Sequence, residues 1–303
     1  MSEKKGLGEM FKEWFRGIKE KLNTKKGRYV MSMVLTGIGL AIVVVAAGVI
    51  LFSRADYRKA EKLYENTKLE YVILPEGNKE LDASSSIEEK NTQNSQADSQ
   101  ADASQQDDTN WWELMRVDLT RLSRNYPDVV GWIAFENVDI SYPVVYSGDD
   151  EKYLRTTYTG TRANAGSIFL EGENEPDFSD QHTLIYGHNM HDLTMFGRLK
   201  YYVSQEGYLE NHQYFQIFAN NEIYRYQIFA VEEVSETSSI YNVYRSDSEG
   251  IRNLVNTIIK GAYKRADIPV GTNDHIITLS TCTADDEKRL IVSAVRVDER
   301  SVE

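Results

Sequence analysis

Between Val30 and Phe52 the chain runs for 23 residues without a charge, VMSMVLTGIGLAIVVVAAGVILF. As a helix rising about 1.5 Å per residue this stretch is roughly 35 Å long, enough to cross the hydrocarbon core of a bilayer. A buried helix of a soluble domain would need a polar face or a shorter run. A cleaved signal sequence would have an apolar region of about 7–15 residues and a small-residue cleavage site. Here the run leads into Ser53-Arg54-Ala55-Asp56. The expectation is one uncleaved transmembrane helix over 30–52, embedded in membrane lipid. Residues 1–28 hold nine Lys or Arg against four Glu, although the whole chain has a formal charge of −13. That basic excess predicts a cytoplasmic N-terminus, a cell-membrane location and an extracellular remainder. Within the tail, Phe11, Trp14 and Phe15 alternate with Lys12, Arg16 and Lys19. They read either as an amphipathic helix on the inner leaflet or as a solvated basic tail. The acidic balance argues against a nucleic-acid partner.

Arg54–Glu70 has helical composition and reads as a stalk, broken by Pro75-Glu76-Gly77. Ala83–Thr109 is mostly Ser, Gln, Asn, Asp and Ala, with Ile87 its one large apolar residue. Such a run cannot bury enough apolar surface to offset the entropy of ordering, so it is expected to be a disordered tether. The predicted organisation is a basic tail over 1–29, a transmembrane helix over 30–52, an extracellular stalk and linker over 53–110, and a folded domain over 111–303.

In that domain a helix is expected over Trp112–Asn125. Eight strand-like runs rich in Val, Ile, Tyr and Phe follow: Gly131–Phe135, Val138–Val145, Gly166–Leu170, Thr183–Gly187, Tyr214–Ala219, Ile223–Val234, His275–Cys282 and Arg289–Val297. Helical stretches interrupt them near Asp192–Tyr202 and Ser248–Ala262. In the second, Ile251, Leu254, Val255 and Ile258 fit an i, i+3, i+4, i+7 stripe. Eight strands with few helices predict a mainly β fold, a closed or nearly closed barrel.

One cysteine, Cys282, excludes an intramolecular disulfide and a multi-thiolate zinc site. It ends the apolar run from His275. A lone thiol there is either an inert buried side chain or a nucleophile, and an oxidising compartment favours a thiol that is used. A nucleophilic thiol needs an imidazole. His188, after Leu184-Ile-Tyr-Gly, sits where a strand presents a side chain at a rim, and His191 is its local rival. His-x-x-His alone is a weak metal signal, so no metal is expected. Acyl transfer also needs an oxyanion stabiliser. Arg289 would return beside Cys282 if the last two strands form a hairpin. It reads equally as a surface arginine, with Lys288 as its rival.

Thr278-Leu-Ser-Thr-Cys282, Tyr186-Gly-His-Asn189 and Arg289-Leu-Ile-Val292 together resemble the sortases, membrane-anchored cysteine transpeptidases of Gram-positive bacteria. Pro127-Asp-Val-Val-Gly-Trp-Ile133, Ile140-Ser-Tyr-Pro-Val-Val145, Gly166-Ser-Ile-Phe-Leu170 and Met195-Phe-Gly197 resemble class B segments in the same order. The resemblance covers about Leu119 to Val297. It implies an eight-stranded sortase barrel with an N-terminal helix and a long helix between strands six and seven. It implies catalytic roles for Cys282, His188 and Arg289 and no cofactor. Cys282 would attack a C-terminal sorting motif of a surface protein at Thr. The acyl group would then pass to an amine of a peptidoglycan precursor or cross-bridge. Ser280 and Thr281, and more weakly Thr237 and Tyr241, are implied substrate contacts. Asp149-Asp150 departs from the Asp-Asn common in the class, which puts one groove contact in question. The alternatives are a hydrolytic cysteine protease at the cell surface and a non-catalytic sortase-like ectodomain. With a thiol near pKa ~8.5 and an imidazole near ~6.5, activity is expected to be bell-shaped in pH.

Overall fold

The computed structural model describes residues 16, 24–74, 108–283 and 287–302. The aromatic-basic stretch of the tail, apart from residue 16, and the low-complexity run as far as residue 107 lie outside the described residues. The uncharged run belongs to a long helix, α1 (Lys25–Tyr71). Among the described residues this one helix is long and apolar enough to cross a membrane, and none of its apolar window is buried.

The chain forms two compact units, Met1–Asp56 and Tyr57–Glu303. In the second, the last turns of α1 bring Tyr57, Ala60, Tyr64, Thr67 and Tyr71 to one side at alternating spacings of three and four residues. Ala60, Tyr64, Thr67 and Tyr71 are buried. Tyr64 Oη donates to the Gly166 carbonyl at 2.6 Å, and the hydroxyls of Thr67 and Tyr158 meet at 2.5 Å. Past the helix, β1 (Val72–Ile73) pairs antiparallel with β2 (Arg116–Val117). Residues 57–73, expected as part of a stalk, thus belong to the second unit; the run expected as a tether lies outside the described residues. The tyrosine stripe was the overlooked signal, because its residues carry hydroxyls and do not count as an apolar face.

Helix α2 (Leu119–Asn125) follows, its first turn capped by Asp118, which accepts from the Arg121 amide at 3.0 Å. It is shorter than the helix expected over 112–125 because Arg116 and Val117 are committed to β2. The strands then run β3 (Val129–Phe135), β4 (Ser141–Val145), β5 (Ile168–Leu170) and β6 (His182–Tyr186). Short helices α3 (Tyr201–Ser204) and α4 (Tyr208–Asn211) precede β7 (Tyr214–Ala219) and β8 (Glu222–Ser235). After α5 (Ser248–Gly261) come β9 (Lys264–Arg265), β10 (Ile276–Cys282) and β11 (Lys288–Ser301). Eight strands close in the order β11-β10-β6-β5-β4-β3-β7-β8, and β8 pairs back to β11; β9 is a short addition beside β8. The expected barrel is present, with the long helix between its sixth and seventh strands. The helix expected over 192–202 starts late. Leu193 and Met195 adopt left-handed backbone (φ 68° and 52°), and helical turns begin only at Gly197.

Two cores result from strand alternation. Along β10, Ile277 and Leu279 point into the barrel and belong to the large core that also holds Ile133, Ile185 and Val292. Ile276 points outward and packs with Ile291, Val295 and Phe229 beneath Ile251, Leu254, Val255 and Ile258 of α5. Each large apolar side chain so buried contributes about 1.5–3 kcal/mol before entropy is counted. Asp247 caps α5, accepting from the Glu249 and Gly250 amides at 3.1 and 3.0 Å. The helix covers only the start of β10, so the outward face at the end of that strand stays open.

Candidate active site

The outward positions at that open end follow from register. In β10 they are Ser280 and Cys282. The parallel neighbour β6 aligns Tyr186 with Ser280, so His188, two residues on, is level with Cys282. The antiparallel hairpin β10–β11 places Arg289 directly opposite Cys282. On the far side of β6, β5 aligns Phe169 with Tyr186, and Glu171 follows on the same face. These residues, with Leu154, Tyr241 and Glu236, line a groove of about 390 Å³. The pocket along α1, lined by Tyr57, Tyr64 and Arg198 among others, has a similar volume of about 380 Å³ but contains none of the thiol, imidazole and guanidinium set.

Cys282 is a free, exposed thiol. His188 is half-buried, and its Nε2 lies 2.6 Å from the carbonyl oxygen of Leu154. A carbonyl only accepts, so Nε2 carries the proton and Nδ1 is the nitrogen left to exchange one. Gly187 precedes it because a Cβ there would overlap Ile168 and Phe196. The next residue, Asn189, donates from Nδ2 to the Cys282 carbonyl at 2.8 Å. The imidazole loop is thereby tied to the thiol strand. Arg289 is half-buried, and its Nη2 meets Glu236 Oε2 at 3.0 Å.

Ser280 Oγ and Tyr241 Oη are 2.9 Å apart in the groove wall. Burial pushes the Tyr241 phenol up. Tyr241 stacks on Tyr186 at 6.3 Å, and Tyr186 Oη donates to Glu171 Oε2 at 2.5 Å. Burial first, and then Glu171, pushes the Tyr186 phenol far up. Glu171 is raised to about 7, by burial and then by its hydrogen bond with Asp150.

Of the implied substrate contacts, Ser280 and Tyr241 face the groove. Thr281 lines it by position, but alternation turns its side chain inward, where it is buried and Oγ1 has no partner among the described residues. Thr237 is placed elsewhere than expected. It does not line the groove; its hydroxyl meets Ser235 Oγ at 3.0 Å, and Glu236 occupies the groove instead. His191 is exposed and outside the groove. Among the described residues no group of three or more His, Cys, Asp or Glu could hold a metal ion. Sequence reasoning missed Leu154, Asn189, Glu236 and Glu171. Asn189 adjoins the histidine and was readable. Leu154 acts through a backbone carbonyl, for which no residue type is a signal.

A closed barrel carrying a thiol, an imidazole and a guanidinium in one external groove has the architecture of a cysteine acyl-transfer enzyme. The Sortase domain family model matches residues 133–297, more than half of the chain, and the chain belongs to this family of cysteine transpeptidases. Its relatives are class B. It is 28% identical to the Sortase B of Listeria monocytogenes over 245 residues, which are 81% of this chain and 89% of that protein. It is 26% identical to the Sortase B of Staphylococcus aureus over 185 residues, 60% and 75% of the two chains. The X-ray structure of Clostridium perfringens sortase B matches with a TM-score of 0.55 at 27% identity, over 59% of this chain and 99% of that one.

Proposed function

We propose that this chain is a membrane-anchored transpeptidase that joins surface proteins bearing a C-terminal sorting motif to a cell-wall amine, with Cys282, His188 and Arg289 as its catalytic residues. The observation that carries this reading is the level alignment of the three on β10, β6 and β11. The Cys282 thiolate attacks the carbonyl carbon of the motif's Thr. Arg289, its guanidinium held on one side by Glu236, stabilises the oxyanion of the tetrahedral intermediate. The C–N bond breaks as His188 gives its Nδ1 proton to the leaving amine, and a thioester remains on Cys282. An incoming amine attacks the thioester, His188 takes the amine's proton back, and the thiolate is released. The basic excess before Val30 supports a cytoplasmic N-terminus, with the barrel on the outer side.

The test uses the full chain in detergent micelles and fluorescent peptides carrying sorting-type motifs, with and without an amine such as triglycine. An acyl adduct on Cys282 by mass spectrometry, absent in Cys282→Ala and diverted to an amide product by triglycine, is the expected result. Cleavage that ignores the amine would make the chain a hydrolase. No adduct with any peptide would refute the reading.

A further inference from the structure

The loop that carries His188 folds back on itself. Asn189 forms an antiparallel bridge with Met195, and the Phe196 amide donates to the His188 carbonyl at 3.0 Å. At the turn, the Thr194 amide and hydroxyl both donate to Asp192 Oδ1, at 3.1 and 2.7 Å. Leu193 and Met195 take φ of 68° and 52° there. Left-handed backbone is costly for a residue with a Cβ, and it persists only where the surroundings hold it.

Close packing does not supply all of that hold. Asp192, Leu193, Thr194 and Met195 border the cavity of about 380 Å³ beside α1, so the loop has room to yield on that side. The barrel wall reaches the loop there through a hydrogen bond: the Met195 amide donates to Tyr142 Oη at 3.0 Å, in a buried setting. Tyr142 belongs to β4, where it is aligned with Ile133 of β3. Its ring meets that of Tyr64 edge-on at 5.5 Å. The hydroxyl is thus fixed by the sheet and by the end of α1. Burial pushes the Tyr142 phenol far up, so it stays neutral while the thiol and the imidazole titrate.

We propose that Tyr142 is a positioning residue for the transfer reaction: its hydroxyl pins the Met195 amide and so, through the Asn189–Met195 bridge and the Phe196–His188 hydrogen bond, holds the imidazole level with Cys282. This rests on the transpeptidase reading above. Tyr142 touches no reacting atom. Without its hydroxyl the Met195 amide loses this partner in a buried setting, and the loop relaxes toward the cavity to find water. His188 then moves off the Leu154 carbonyl, which holds its Nε2 proton.

The experiment compares Tyr142→Phe with Tyr202→Phe in the full chain in micelles. Tyr202 is also buried, and its hydroxyl donates to the His212 carbonyl at 2.6 Å, outside the histidine loop and the groove. Both variants lose one buried hydrogen bond, so both should lower Tm by a similar amount. Only Tyr142→Phe should lower kcat, by about tenfold, with KM little changed. A second readout needs no peptide. In spectra of histidine-labelled protein, assigned with His188→Gln, the Nε2 proton of His188 should be protected from water in the parent and in Tyr202→Phe, and lost to exchange in Tyr142→Phe. Equal kcat losses in the two variants, or an unchanged kcat in Tyr142→Phe, would overturn the proposal. A protected proton in Tyr142→Phe would overturn it whatever the activity of the parent. A parent that turns over no peptide defeats the transpeptidase reading, and the proton of His188 then decides by itself whether Tyr142 holds the loop.

Discussion

Replacing Tyr64 measures how much the end of α1 stabilises the barrel. Tyr64 is 5% exposed, and its hydroxyl donates to the Gly166 carbonyl at 2.6 Å and reaches Ser167 Oγ at 3.2 Å. Its ring meets Tyr142 edge-on at 5.5 Å and Tyr158 at 5.7 Å. Gly166 sits in left-handed backbone (φ 56°), where a Cβ would strike the carbonyls of Tyr153 and Leu154, so this turn cannot readily shift to find another donor. Tyr64→Phe removes the hydroxyl and leaves that carbonyl without this partner, costing about 1–2 kcal/mol. Tyr64→Ala also removes the ring, for a total of about 3–5 kcal/mol. For a unit of this size each kcal/mol lowers Tm by about 2–4 °C, so Tyr64→Ala should melt roughly 10 °C below the parent and Tyr64→Phe about 4 °C below it. Near-UV circular dichroism of the full chain in detergent reports the barrel's aromatic core. Leu69→Ala, at a 77% exposed position on the same helix, is the control and should leave Tm in place. A Tyr64→Ala melt indistinguishable from that control would refute the claim that residues 57–71 at the end of α1 are part of the folded unit.

Three further outcomes are expected. Glu232 is 4% exposed, its Oε1 has no partner among the described residues, and burial raises its carboxyl to about 7. Its folded pKa is above the unfolded value, so stability is lost as pH rises from about 4.5 through about 7; Glu232→Gln should raise Tm by several degrees at pH ~8 and leave it nearly unchanged at pH ~4. His182 is fully buried between the Asn242 carbonyl and Thr278 Oγ1, and burial lowers it to about 4. Its folded pKa lies below the unfolded ~6.5, so urea titrations should show up to about 3 kcal/mol lost as pH falls from ~6.5 to ~4, and a flat response would contradict a neutral buried imidazole. Asn189→Ala cuts the tie from the histidine loop to the Cys282 carbonyl; steady-state kinetics should show kcat lower by about tenfold with KM little changed, whereas a change in KM alone would make Asn189 a binding residue.

The barrel was legible because its strands are short runs rich in Val, Ile, Tyr and Phe, bounded by turn residues. The long helix Ser248–Gly261 was legible from its apolar stripe. The placement of Cys282, His188 and Arg289 needed one assumption, a hairpin between the last two strands, and the register bears out that hairpin. What escaped depends on distant partners. The Leu154 carbonyl on His188 is 34 residues away in sequence, and Glu171 meets the Tyr186 hydroxyl 15 positions later. The helix expected near Asp192–Tyr202 begins only at Gly197, because the tertiary fold holds Leu193 and Met195 at positive φ.

The pairing of Val72 with Val117 holds side by side two positions 45 residues apart in sequence. The barrel's stability therefore draws on contacts made by residues 57–73 as well as by those from 116 onward. Truncating the protein at the start of β2 would remove Tyr64 and Tyr71 from the core and so cut into the folded unit itself.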